Sequence, residues 1–467
     1  MKRINKILAA NRSEIAIRVF RASEESGIRT AAIYSKEDRF ALHRFKTDES
    51  YLVGVGKGPI QAYLDIDSII DIAIKANVDA IHPGYGFLSE SPEFAQACQD
   101  NKIEFIGPNV DTLRKLGNKT EAKKIAEDAG IQIIKSITVP KKFDINSLQS
   151  ATEKIGYPLI IKASWGGGGR GMRVVHNESE LINKVVDAIS ESKKAFGKED
   201  VFIEKYLEDV AHIEVQILGD KHGNIVHLFE RDCSIQRRHQ KIIERAPASF
   251  LDTKTREKLC NAAIIIAKKS NYVSAGTVEF LVDKKTKDYY FIEVNPRIQV
   301  EHTVTEEITG IDIVKAQIKI AEGKKIGEDI SLPSQDNIKI DGHAIQCRIT
   351  TEDPANDFMP DYGKIITYRS ASGFGIRLDG ATATAGSVVT PFYDSLLVKV
   401  TSWASNVNDC RRRMDRALRE FRIRGVKTNL VFLESIINHE KFINSKYNTR
   451  FVDEDDTLFK FKPKKDR

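Results

Sequence analysis

Long apolar runs are missing from this 467-residue chain. Its longest purely aliphatic stretch, Ala262–Ala267, falls far short of the roughly 20 residues a membrane-spanning helix needs, so no membrane association is expected. The N-terminus enters patterned sequence directly, and neither anchor nor export signal is read there. Cysteine is sparse: Cys98, Cys233, Cys260, Cys347 and Cys410 stand apart with no CxxC pair, which argues against a disulfide framework and suits a reducing, cytoplasmic setting. Charge of one sign is not in excess, because a net +6 is small for this length; it favours anionic substrates without indicating nucleic acid. A GxGxxG fingerprint is absent, which removes the expectation of a dinucleotide, and so is the lysine-threonine ending of a P-loop.

What is present divides into several packed units, since the chain is too long for one hydrophobic core. Residues 1–113 begin strand, helix, strand over Ile7–Ala10, a stretch ending near Gly27, and Thr30–Tyr34; with Ala80–Ile81 and Phe105–Ile106 they read as a small doubly wound α/β unit. Residues 114–334 start with a charged helical run, Lys115–Gly130, and continue into a lid at about 135–203 built around a glycine-rich loop. A strand-dense centre follows, with Ile213–Leu218, Thr277–Val282 and Tyr289–Val294 and helices at 253–270 and 311–321. Strands and glycine turns over 335–445 precede a helix near 407–421, and 446–467 read as a charged tail.

The glycine loop, Gly166, Gly167, Gly168, Gly169, Arg170 and Gly171, lies between Leu159–Ala163 and Met172–Val175. Consecutive glycines let backbone N–H groups approach phosphate oxygens; a flexible hairpin tip is the bland alternative, and Lys162 just before the loop favours phosphate. Glu279 in AGTVEFLV and Glu293 in YYFIEVN would meet at one sheet end if their strands pair antiparallel. With the amide of Asn295 they form an oxygen-rich set suited to Mg²⁺ or Mn²⁺ bridging nucleotide phosphates, although either acid alone reads equally well as an exposed strand end. Arg297, Gln299, Glu301 and His302 follow within a few residues, a cationic fork beside a carboxylate that suits binding a small oxyanion such as bicarbonate and removing its proton. The block ERDCSIQRRHQK, Glu230–Lys241, adds Gln236, His239 and Lys241, with Arg237 and Arg238 read as a solvated basic face. Arg411, Arg412, Arg413, Arg416 and Arg419 line one side of the helix near 407–421, a solvated or subunit-facing surface with no nucleic-acid motif beside it.

These residues resemble a known family. ANRSEIAIR (Ala10–Arg18), HPGYGFLSE (His82–Glu90), IKASWGGGGRGM (Ile161–Met172), ERDCSIQRRHQK and EVNPRIQVEHTVTE (Glu293–Glu306) are similar to the motifs of biotin carboxylases of the ATP-grasp superfamily. The likeness covers essentially the whole chain. RITTEDP (Arg348–Pro354), YDSLLVKV (Tyr393–Val400) and FRIRGVKTN (Phe421–Asn429) bring the wording nearest to the N-terminal domain of pyruvate carboxylases. The resemblance implies an ATP-grasp fold with an N-terminal Rossmann-like domain, a mobile glycine-loop lid and a C-terminal biotin carboxylase domain. It implies an ATP-dependent, ADP-forming ligase that phosphorylates bicarbonate to carboxyphosphate and carboxylates biotin.

Carried over by position, Lys119, Lys162, His212, Gln236 and His239 contact nucleotide, Glu204, Lys205 and Leu207 receive adenine, and Gly166–Gly169 close over the phosphates. Glu279, Glu293 and Asn295 hold two metal ions. Lys241, Arg297, Gln299 and Val300 bind bicarbonate, and Glu301 is its base. Arg348 stabilises the negative oxygen of enolised biotin, Tyr85 lines the biotin side, and His302 supports Glu301 from behind. Ser13, Asn118 and Arg245 depart from the family wording and put local geometry in question. No Ala-Met-Lys-Met acceptor occurs, so a biotin carrier and a carboxyltransferase are expected on another chain or another part of a longer protein, with a homodimer or higher oligomer. An acetyl-CoA or other acyl-CoA carboxylase subunit, another ATP-grasp ligase and an inactive scaffold are the alternatives.

Overall fold

The computed structural model describes residues 3–140, 143–163, 172–196, 200–380 and 383–460. Strands β1 (Lys6–Ala9), β2 (Arg29–Tyr34), β3 (Glu49–Leu52), β4 (Ala80–His82) and β5 (Glu104–Phe105) form a parallel sheet in the order β3-β2-β1-β4-β5. Parallel strands are covered on both faces, so after Lys6 β1 is apolar: Ile7 and Ala9 feed one core while Leu8 and, just past its end, Ala10 feed another. Strand order reverses between β1 and β4, and such a switch opens a crevice at the carboxyl ends of the two strands. Asn11 closes it, donating Nδ2–H to the Pro83 carbonyl at 2.7 Å and the Tyr85 carbonyl at 2.8 Å. Gly84 sits at φ +65° with that Asn11 nitrogen 2.9 Å from where a Cβ would stand, so glycine is required there. Ser13, which begins the helix Ser13–Glu24, has φ 61°, a left-handed conformation that favours glycine over serine.

The expected lid is a four-stranded antiparallel sheet, β6 (Ser136–Val139), β7 (Leu159–Ala163), β8 (Arg173–Val175) and β9 (Val201–Lys205), with a core of its own that includes Leu159, Ile161, Val175, Leu181 and Ile203. Gly166, Gly167, Gly168 and Gly169 lie outside the described residues. Asn118 caps the next functional helix, Lys119–Asp128, by accepting the Thr120 and Glu121 N–H groups, a role that any short polar oxygen fills.

The centre is one antiparallel sheet. In order it contains β14 (Tyr289–Asn295), β13 (Ser274–Asp283), β10 (Val210–Gly219), β11 (Ile225–Arg237), β12 (Gln240–Ala246) and β15 (His343–Thr350), followed by the strands Leu396–Ala404 and Ile376–Gly380. The sheet therefore runs across the point near 334 where a boundary was expected, because β12 pairs directly with β15. Residues 446–460 differ from the expected charged tail: Tyr447, Phe451, Val452 and Leu458 are buried in the core of the last unit. Arg245 explains much of that. From β12 it donates to Ser249, Ser445 and the Tyr447 hydroxyl, which in turn donates to Asp232 at 2.8 Å. The five cysteines are unpaired and buried. Among the described residues no helix is long and apolar enough to cross a membrane.

Candidate active site

Strand register assembles the site. Glu293 faces Glu279, Glu279 faces Glu214, and Glu214 faces Arg231, so three carboxylates and a guanidinium occupy one row across four strands. Like charges opposed in this way are destabilising unless cations lie between them. Lys241, from β12, supplies one: its Nζ is 2.5 Å from Glu214 Oε2, 2.9 Å from Glu279 Oε1 and 2.8 Å from Glu301 Oε1. Arg231 is wholly buried and spends every N–H on Glu214, Gln216, Thr305, Thr277 and Gln299, at 2.6 to 3.1 Å. Arg348, from β15, bridges Glu244 and Glu301, with Nη2 2.9 Å from Glu301 Oε2.

The buried acids are not equivalent. Burial would raise the Glu301 pKa, but Lys241, Arg348 and Arg231 together hold it well below the ordinary carboxylate range. Glu279 follows the same pattern, with burial outweighed by Lys241 and His212. For Glu214 and Glu244 burial wins and the pKa is raised. The negative charge thus concentrates on Glu301 and Glu279, while burial on its own would lower the Lys241 pKa and the surrounding acids push it well above its usual value.

Beyond β14 the chain turns under this cluster. Arg297 reaches Glu90 of the β4 loop at 2.6 Å through Nε and Asn295 Oδ1 at 3.0 Å through Nη2. Gln299 donates to Glu279 Oε1 at 2.9 Å. Lys241, Arg297, Gln299, Val300, Glu301 and Arg348 are therefore brought to one place. Tyr85, half-buried on a core that includes Ile15 and Ile298, lies on the same β4 loop as Glu90.

The predicted nucleotide residues surround a second cluster. Glu204 is buried and takes Lys162 on Oε2 at 2.6 Å and Lys123 on Oε1. Burial would raise its pKa, yet Lys162 and Lys123 lower it. Lys119 pairs with Glu293 at 3.1 Å. Lys205 points elsewhere, donating to the Gly156 and Tyr157 carbonyls, and Leu207 lies in the link between β9 and β10. His212 contacts Glu279 Oε2 at 2.7 Å while Gln236 contacts its other nitrogen at 2.7 Å. His239 and Arg238 form the two-residue turn between β11 and β12, with φ of 65° and 47°, a strained conformation for non-glycine residues. Arg238 and Arg237 both pair with Asp357.

The expected metal ligands fit an oxygen-preferring divalent ion in part. Glu279 and Glu293 face one another, and Glu293 retains 25% side-chain exposure. Asn295 is turned from that role, its Oδ1 accepting from Arg297 and its Nδ2 donating to Glu279. His212, Glu214 and Glu279 bring three donor atoms within 4.8 Å of one another, a set not foreseen.

Glu214, Arg231, Glu244, Lys123, Glu90 and Lys399 were all missed as site residues. Glu214 and Gln216 alternate with Ile213, Val215 and Ile217 along β10, a pattern that normally marks a solvent-facing side. Here both faces are covered, and that alternation, with a basic partner in the next strand, was the available signal.

Known proteins resemble this chain along its whole length. Residues 3–113 match the family described as biotin carboxylase, N-terminal domain; 118–329 match carbamoyl-phosphate synthase L chain, ATP binding domain; 346–454 match biotin carboxylase C-terminal domain. The chain is 55% identical over 465 residues to a pyruvate carboxylase of Bacillus subtilis, aligning 99% of this chain with 40% of that protein. It thus spans about two fifths of such curated relatives. A Rhizobium etli pyruvate carboxylase solved with the allosteric activator acetyl coenzyme-A superposes with a TM-score of 0.95 at 57% identity, over 100% of this chain and 42% of that one. The biotin carboxylase domain dimer of Hydrogenobacter thermophilus 2-oxoglutarate carboxylase, in complex with MgADP, ADP and bicarbonate, superposes with a TM-score of 0.94 at 43% identity, over 99% and 100% of the two chains.

Proposed function

Because this chain belongs to the biotin carboxylase family, we propose that it catalyses ATP- and bicarbonate-dependent carboxylation of biotin borne on a carrier. The observation that carries the reading is Glu301 held between Lys241 and Arg348, with Arg297 near enough to interact with it electrostatically. A bicarbonate oxygen attacks the γ-phosphorus of ATP; the new O–P bond forms as the bridging P–O bond to ADP breaks, giving carboxyphosphate. Glu301 takes the bicarbonate proton. Its cations make it a poor base until the entering anion competes for Lys241, which releases its basicity when substrate is present. Carboxyphosphate then breaks at its carbonyl C–O bond into CO₂ and phosphate beside biotin; the phosphate takes the ureido N–H proton, the nitrogen forms its new N–C bond to CO₂, and Arg348 opposes the negative charge on the ureido oxygen.

Glu279 and Glu293 would hold Mg²⁺, or Mn²⁺ in its place, which neutralises nucleotide phosphate charge when bound. Lys119, Lys162, His212, Gln236 and His239 serve the nucleotide, with Gly166–Gly169 as its cover and Glu204 to Leu207 at the adenine. Units at 1–113, 114–334 and 335 onward carry these parts. The carrier and carboxyltransferase are the partners, in a cytoplasmic homodimer or larger oligomer, and pyruvate is the favoured final acceptor on the strength of the relatives. Incubation with MgATP, biotin and ¹³C-bicarbonate, followed by mass spectrometry, should give carboxybiotin carrying the label; ATP cleavage with no labelled product would reject the carboxylation.

A further inference from the structure

Val300 is held from behind on both sides. The Gln299 carbonyl accepts from the His302 imidazole Nδ1–H at 2.7 Å and from the His302 backbone N–H at 3.3 Å. The Val300 carbonyl accepts from Lys399 Nζ at 3.0 Å. Both donors come from the core: His302 and Lys399 are each 0% exposed. Lys399 belongs to the strand Leu396–Ala404, directly opposite Arg348 in register, and its other partner is Glu14 of the helix Ser13–Glu24 at 3.1 Å.

The two peptide planes that flank Val300 are therefore each pinned through a carbonyl. In a trans peptide C=O and N–H point in opposite directions. A Gln299 carbonyl drawn inward to His302 turns the Val300 N–H outward, and a Val300 carbonyl drawn inward to Lys399 fixes the plane from which Glu301 departs. A buried lysine ammonium is strongly destabilising unless it is fully partnered. Its carboxylate neighbours are Glu14 and Asp379, the latter opposite it in register; neither Glu14 oxygen is satisfied by a well-formed hydrogen bond, while the Val300 carbonyl accepts from Lys399 at 3.0 Å.

We propose that His302 and Lys399 are positioning residues that together aim the Val300 N–H at bicarbonate and set the departure of Glu301. The proposal rests on the biotin carboxylase reading. His302 acts on the plane before Val300 and Lys399 on the plane after it, so loss of either loosens the anion site without touching nucleotide.

The test uses the full chain with MgATP and bicarbonate, reading phosphate release. Lys399→Met alone leaves Glu14 buried and unpaired, so the informative variant is the double Glu14→Gln with Lys399→Met, which removes both charges. The expected result is a bicarbonate KM raised tenfold or more with the ATP KM within twofold of the parent. A bicarbonate KM within twofold in the folded double variant means that Lys399 only neutralises Glu14, and overturns its part. His302→Leu is expected to raise the bicarbonate KM similarly, and His302→Asn, whose Nδ2–H stands in for the imidazole Nδ1–H, to recover most of the loss. Equal defects in the two His302 variants overturn the part of His302, and that pair decides the matter if the double variant does not fold. A parent enzyme whose ATP cleavage ignores bicarbonate rejects the underlying reading instead.

Discussion

The half of the site proposed to hold the oxyanion and the half proposed to hold the nucleotide are built on different plans. Around Glu301 the cations and acids come from one continuous sheet and the turn beneath it; Glu214, Glu244, Glu279 and Glu301 are buried, Lys241 and Arg348 are nearly so, and each has two or more partners. On the nucleotide side Lys119 and Lys123 come from one helix, Lys119–Asp128, and reach across to Glu293 of β14 and Glu204 of the lid, where Lys162 meets Glu204 from the neighbouring strand β7. The first arrangement is preorganised, which is where electrostatic stabilisation of a developing charge is most effective. Under the proposed function the second is a set of exchangeable ion pairs whose lysines a polyphosphate would take over.

The largest effect that would sharpen this contrast is chemical. Glu301→Gln should lower bicarbonate-dependent turnover by about 10²-fold or more while affinity for a non-hydrolysable ATP analogue stays within twofold. Turnover that survives the change would remove Glu301 as the base. Next comes stability: Arg231→Met leaves Glu214 buried without its guanidinium and should cost about 3–5 kcal/mol, read from the urea midpoint. Arg348→Ala should impair biotin carboxylation about tenfold more than bicarbonate-dependent ATP cleavage, the size expected for one lost electrostatic contact. Equal losses in the two assays would take away its role at biotin. Lys162→Met should be milder, raising the ATP KM several-fold with little loss of stability, because Glu204 keeps Lys123; an unfolded variant would mean that the nucleotide half is as tightly built as the other.

The gentlest probe is pH. Burial holds His302 near a pKa of about 3 and His43, His82 and His227 near about 4, against roughly 6.5 in the unfolded chain. Between those values the unfolded state binds more protons, so stability is complete above about pH 6.5 and falls as pH drops towards 4. Melting temperatures across pH 7.5 to 5 would show the decline, and a flat profile would contradict the buried neutral histidines.

Local signals carried the sequence a long way. Apolar runs located β1, β2, β13 and β14, and the expected antiparallel partnership of Glu279 with Glu293 is the observed register. What remained hidden was long-range. Nothing local in β12 announces that it pairs with β15, and nothing in Lys399 or Glu14 announces that they meet beneath Val300 from distant parts of the chain. Arg231 was passed over within a quoted motif because an arginine on a strand normally reads as solvent-facing, and only burial of both sheet faces reverses that.

The central claim is that a prebuilt oxyanion site makes ATP cleavage contingent on bicarbonate. Phosphate release from MgATP, measured on the purified chain in bicarbonate-depleted and bicarbonate-replete buffer with and without free biotin, tests it directly. The account predicts near-background release without bicarbonate, a clear rise with it and a further rise with biotin. Release that is equal in both buffers from a folded preparation would contradict it.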